Sequence, residues 1–213
     1  MGDPASVSTS LATQLWADNA DLAQTTLGHR FVRGLAAGSL PLASFQHYIA
    51  QDAFFLDAFS RAYALALARC PDRAGRGELF DLLSGVFDEL KLHADYAARW
   101  AVSVDDAPPA AATLAYTEFL LATAALGGVG QTCAAMTPCM RLYAFLGQQL
   151  AAEGAATVAN PYHEWIATYA AAEFEALAAR LEALLDRYAV DQAVADVYRR
   201  AMALELAFFE AAA

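Results

Sequence analysis

Basic residues are scarce in this chain: Lys and Arg number 13 against 24 Asp and Glu, a formal net charge of -11. No Lys/Arg cluster offsets that balance locally, so attraction to a phosphate backbone is excluded and nucleic acid is not an expected partner. Cysteine is sparse too. The thiols of Cys70, Cys133 and Cys139 make an odd set without C-x-x-C spacing, which argues for reduced thiols in an intracellular protein rather than a disulfide framework. No apolar run of about 18 residues free of charge occurs, so no membrane partner is expected. "MGDPASVSTSLATQL" lacks a basic start followed by an apolar stretch, and the expected location is the cytoplasm. Alternating strand patterns between turn pairs are missing, as is any repeat at a fixed period of about 20–50 residues.

Metal and phosphate signatures are likewise absent. None of His29, His47, His93 and His163 follows a Glu by three positions, and no H-E-x-x-H occurs. Glu89 and His93 stand four apart in "DELKLH" but lack the partners a two-metal bundle needs. "LGGVGQT" has neither the lysine nor the preceding strand of a phosphate loop. No metal is expected.

What remains is helix. At 213 residues with 58% hydrophobic and 17% charged side chains, the chain fits one folded domain, residues 1–213, with a single core. Much of the hydrophobic share is alanine, a strong helix former with little surface to bury. Helical spacing runs through "LATQLWADNADLAQ" as one segment, then from Ser39–Pro41 unbroken to Cys70, then through "PDRAGRGELFDLLSGVFDELKLHADYAARWAV". After the loop "SVDDAPPAA", a helix beginning at Pro109 stops at Gly127–Gly128. Others are expected after Thr137–Pro138, near Pro161, and from about Asp191 to the end. The fold class is all-α, a bundle of roughly seven to nine helices.

In such a bundle the chemistry sits on polar side chains that interrupt apolar faces. In "AAMTPCMRLYAF", Thr137 reads as an N-cap and Pro138 as the first helical residue. Cys139 then falls in the first turn, where free N–H groups and the helix dipole favour a nucleophilic thiolate. Tyr143, four residues on, shares its face. The plain alternative is a small buried hydrophobe. In "YIAQDAFFLDAF", Asp52 lies on a face with Phe55 and Phe59; a carboxylate there needs a donor, such as a ligand's amine edge or an internal arginine. Glu205 in "MALELAFFEAAA" is similarly flanked and, if buried, suits proton transfer near neutral pH; Glu210 reads as solvated. Tyr116 and Tyr169 are pocket or core aromatics.

Six stretches in order, "YIAQDAFFL", "ELKLH", "YTEFLLATA", "AMTPCMRLYAFLG", "NPYHEWIATY" and "LELAFF", resemble the TenA/thiaminase II family across essentially the whole chain. The similarity is to its cysteine-type branch and to the TenA-like domain of plant bifunctional thiamin-salvage proteins. It implies a heme-oxygenase-like helical bundle without heme, with no cofactor expected, assembled as a homo-oligomer (dimer or tetramer). It also implies hydrolysis of 4-amino-5-aminomethyl-2-methylpyrimidine to the hydroxymethyl pyrimidine and ammonia, with weaker cleavage of thiamin. By the same resemblance Cys139 matches the nucleophile, Asp52 the aspartate reading the pyrimidine's amine edge, and Glu205 the glutamate of the last helix. Tyr116, Tyr143 and Tyr169 match pocket tyrosines, and Phe55 stands where many bacterial members carry tyrosine, keeping a stacking face without the hydroxyl. Three rivals differ in class: a non-catalytic pyrimidine- or thiamin-binding regulator using the same pocket, a two-metal oxidase on the same bundle, and a purely structural helical bundle.

Overall fold

In a computed structural model, residues 9–100, 108–189 and 193–213 are described, apart from the side chains of 88–99 and 193. Ten α-helices form among them, and no strand. In chain order they are α1 (Leu11–Asp18), α2 (Ala20–Leu27), α3 (Arg30–Ala37), α4 (Leu42–Arg69), α5 (Arg73–Arg99), α6 (Ala111–Leu126), α7 (Val129–Ala152), α8 (His163–Ala170), α9 (Ala172–Tyr188) and α10 (Ala193–Ala212). Local signals explain several boundaries. The Ser10 hydroxyl caps α1 by accepting from the Thr13 N–H. Gly38, at φ 66°, closes α3 in the left-handed conformation that costs glycine least. Pro41 precedes α4, and Gly127 ends α6.

The ten helices exceed the roughly seven to nine expected, α3 has no counterpart in the sequence reading, and three boundaries depart from it. The first helical segment breaks at Asn19, which is buried, donates its amide to the Leu15 carbonyl and accepts from Arg199. That side chain competes with the backbone for hydrogen bonds and turns the chain. A second break comes at the extended Ala171, where no Gly or Pro signals it. The third concerns α7, which begins at Val129 rather than after Thr137, so that Thr137 and Pro138 lie inside the helix. Proline's φ is compatible with helix, but its missing N–H leaves the carbonyl one turn back without its helical donor, a cost of about 3 kcal/mol. Thr137 is no cap here. It is fully buried and its hydroxyl bonds back to the Cys133 carbonyl at 2.7 Å.

Interior packing makes that proline tolerable. α7 is the central helix, packed against α4, α6, α8, α9 and α10, and its buried residues lie on most of its circumference. Small side chains let neighbours close in: Ala134, Ala135 and Ala144 are wholly buried. A Cβ on Gly147 would collide with the Tyr169 backbone carbon, and one on Gly130 with the Tyr188 carbonyl. Arg141, on the same helix, pairs with Glu182 at 2.7 Å and Glu175 at 2.8 Å, clamping α9 alongside. No helix among the described residues is long and apolar enough to cross a membrane.

Candidate active site

Five helices bring the candidate residues together. Asp52 and Phe55 come from α4, Cys139 and Tyr143 from α7, and Tyr169 from α8, and all five line one internal void of about 20 Å³. Phe59, Met140 and Phe174 complete its wall, with Leu56 beside them. Tyr116 of α6 and Glu205 of α10 stand directly behind that wall. The Tyr116 hydroxyl donates to Glu205 Oε1 at 2.7 Å, and its ring lies 4.7 Å from that of Phe55. Glu205 also accepts a hydrogen bond from the Cys139 thiol. Glu210, by contrast, is exposed.

This arrangement changes the account of Cys139. The thiol sits well inside α7 and gains nothing from a helix N-terminus. Its chemical partner is a carboxyl delivered by a different helix. The thiol is partly exposed, whereas Cys70 and Cys133 are buried. Burial pushes the Cys133 thiol up to about 12, an inert setting.

Electrostatics in the site are dominated by desolvation. Asp52 is 5% exposed and Glu205 1% exposed. Burial pushes the Asp52 carboxyl up to about 7. Glu205 goes to about 8, raised by burial and by the negative charge of Asp52, and held back by the hydrogen bonds from Tyr116 and Cys139. Both carboxyls therefore exchange protons near neutrality, the range in which a general acid or base is effective. The phenols of Tyr48, Tyr116 and Tyr143 are driven well above their ordinary range by burial, so they remain neutral donors and acceptors.

Aromatic rings form the rest of the enclosure. Tyr143 meets Tyr169 with centroids 4.8 Å apart, and Tyr169 meets Phe174 edge-on at 4.9 Å. Such walls suit a flat heteroaromatic guest. The void holds about one water, so it is smaller than a heteroaromatic ring. A larger hollow of about 740 Å³ lies on the outer face between α6 and α10, but it contains none of the candidate residues. Among the described residues no cluster of three or more His, Cys, Asp or Glu could hold a metal; the side chains of Glu89 and His93 lie outside the described residues.

Sequence reasoning missed Met140, Phe174, Tyr48 and Trp165. Tyr48 carries a legible signal, since it precedes Asp52 by one helical turn, and Trp165 precedes Tyr169 by the same spacing. Phe174 has none: it reaches the void because the chain turns at Ala171.

The profile of the TENA/THI-4/PQQC family matches residues 16–212. The chain is 37% identical over 203 residues to the bifunctional TH2 protein, mitochondrial, of Arabidopsis thaliana, covering 83% of this chain and 33% of the plant protein. It thus spans about a third of that relative. To the aminopyrimidine aminohydrolase of Halalkalibacterium halodurans it is 33% identical over 184 residues, covering 84% of this chain and 82% of the relative. A TenA family transcription regulator from a Silicibacter species superposes with a TM-score of 0.88 at 27% identity, over 95% of this chain and 96% of that one. The fold and site define an all-helical bundle with a cysteine–carboxylate pair at its centre, and the chain belongs to the TENA/THI-4/PQQC family.

Proposed function

We propose that this protein is an aminopyrimidine aminohydrolase of thiamin salvage. It would convert 4-amino-5-aminomethyl-2-methylpyrimidine and water to the 5-hydroxymethyl compound and ammonia, with weaker cleavage of thiamin. The observation that carries the reading is the Cys139 thiol bonded to the buried carboxyl of Glu205 beside an aromatic void that also contains Asp52. Relatives named for this hydrolysis support it. A cytoplasmic homo-oligomer, dimer or tetramer, goes with the same reading.

In this mechanism Glu205 removes the thiol proton as sulfur adds to the ring carbon next to the one bearing the aminomethyl group. The adjacent ring nitrogen gains a proton, and aromaticity is lost. The aminomethyl nitrogen enters protonated, and the 4-amino lone pair pushes through the ring and expels it as ammonia, leaving an exocyclic methylene. Water adds to that methylene, its proton passing to a carboxylate. The ring nitrogen gives up the proton it gained, its electrons restore the aromatic ring, the C–S bond breaks, and thiolate and product separate. One hard displacement becomes two easier steps. Asp52 holds the amine edge in register, a positioning effect that lowers the barrier by several kcal/mol, and Phe55 and Tyr169 offer aromatic surface in the wall.

The test is ammonia release by the wild type and by Cys139→Ser, with thiamin assayed in parallel. Turnover confined to the wild type and faster on the aminopyrimidine is expected. Cys139→Ser that turns over normally removes the nucleophile, and tight pyrimidine binding without turnover by the wild type points to a binding protein instead.

A further inference from the structure

Behind the void lies a hydrogen-bonded chain that the proposed reaction does not use. The Trp165 indole N–H donates to the Tyr48 hydroxyl at 3.3 Å, and the Tyr48 hydroxyl donates to the Tyr143 hydroxyl at 3.2 Å. All three side chains are buried: Tyr48 is fully enclosed, Tyr143 is 4% exposed and Trp165 5%. The three rings interlock as well, Tyr48 against Trp165 at 6.5 Å and Tyr143 against Trp165 at 5.8 Å.

The chemistry of these groups gives the chain a direction. Indole is a donor only, so the Tyr48 oxygen must be the acceptor in the first bond. The Tyr48 hydrogen is then satisfied by the Tyr143 oxygen. Reversing the second bond would strand the Tyr48 hydrogen in the interior, at the cost of a buried unsatisfied donor. With its oxygen taking the Tyr48 hydrogen, Tyr143 turns its own hydrogen elsewhere. Tyr143 lines the void together with Asp52 and Cys139, so that hydrogen is directed toward the void rather than back to Tyr48. Tyr48 also sits one turn before Asp52 on α4, and Trp165 one turn before Tyr169 on α8. The same three side chains therefore tie together the helices that carry eight of the nine wall residues.

We propose that Trp165 and Tyr48 are positioning residues that fix the Tyr143 hydroxyl as a hydrogen-bond donor facing the void, aimed at an acceptor atom of the bound heteroaromatic ring. The catalytic part of this inference rests on the aminohydrolase reading. The hydrogen-bonded chain itself does not.

The experiment compares Tyr48→Phe, Tyr143→Phe and the double variant in steady-state ammonia release, alongside the indole N–H resonance of Trp165 in tryptophan-labelled protein. Trp165→Phe assigns that resonance. Each Tyr→Phe change nearly conserves volume, so folding is retained, and thermal unfolding checks it. The expected result is a fall in kcat of about tenfold for each single variant, with KM altered by no more than about twofold, as for loss of one oriented donor in the transition state. The double variant is expected to be no worse than Tyr143→Phe alone, because the two residues act as one unit. Losses that simply multiply, or a Tyr48→Phe enzyme with unchanged kcat, overturn the proposal. The resonance is expected to move in Tyr48→Phe and, through Tyr48, in Tyr143→Phe. A resonance indifferent to both substitutions overturns the chain whatever the activity. A wild type that releases no ammonia fails the aminohydrolase reading, and the resonance still decides the chain.

Discussion

At the scale of single residues, the site is governed by two carboxyls whose proton affinity burial has raised and by the donors that moderate it. Glu205 titrates near 8, and its hydrogen bonds from Tyr116 and Cys139 hold it below where burial and Asp52 alone would put it. If ionised Glu205 is the base for the thiol, kcat/KM for ammonia release rises with pH through that ionisation in the free enzyme. Tyr116→Phe removes a donor to the carboxylate, so the rising limb is expected to move to higher pH. Glu205→Gln is expected to abolish the limb and to lower kcat by roughly 10²–10⁴-fold. Initial rates across the neutral and alkaline range check both, and a limb unmoved in Tyr116→Phe would assign it to another group.

Among the elements, α7 decides most, because its small residues set how closely its neighbours approach. The backbone of α8 at Tyr169 lies against Gly147, leaving no room for a Cβ. Gly147→Ala must push α8 outward and shift Tyr169 at the void. The expected outcome is a loss of roughly 1–3 kcal/mol in denaturant unfolding, together with a raised KM. Gly77→Ala on α5, where a Cβ meets nothing within 4 Å, is the control, expected to be neutral or to stabilise by about 0.4–1 kcal/mol. Equal effects from the two substitutions would show that helix propensity rather than contact decides. The close contact at Gly147 also accompanies the turn at Ala171 that swings Phe174 to the void, a feature no local residue pattern announced.

Over the whole molecule, the buried carboxyls make stability depend on pH in a definite sense. Asp52 rises from 3.8 to about 7 and Glu205 from 4.5 to about 8 on folding. The unfolded chain releases these protons at lower pH than the folded one, so their favourable contribution is complete below the unfolded values. It is lost as pH climbs through the folded values. Each tenfold displacement of an ionisation constant corresponds to about 1.4 kcal/mol, so the site costs the fold appreciable stability at neutral and alkaline pH. Asp52→Asn/Glu205→Gln is therefore expected to be catalytically dead yet to melt higher than the wild type near pH 8, with the gap closing toward pH 4.5. Thermal unfolding of both proteins at those two pH values checks it, and a gap that widens on acidification contradicts the burial argument. Surface pairs such as Arg199–Asp21, which hold Asp21 down to about 2, are common to both proteins and drop out of the comparison.

By itself the sequence determined the all-helical class, most helix boundaries and the residue types that interrupt apolar faces, because 3.6-residue periodicity and Gly/Pro punctuation are local properties of the chain. It placed Asp52 and Phe55 on one face, and Cys139 and Tyr143 on another, for the same reason. The Thr137–Pro138 pair shows where that locality ends. Its cap-like chemistry is outweighed by the packing that carries α7 straight through it, and the setting of Cys139 comes instead from Glu205 on the last helix. Tertiary structure alone decided which carboxyl meets which thiol, that both carboxyls are dehydrated, and that Trp165 and Tyr48 stand behind Tyr143. Each of these depends on which distant helices face one another across the core, a matter of side-chain volumes summed over the whole interior rather than of any short stretch of chain.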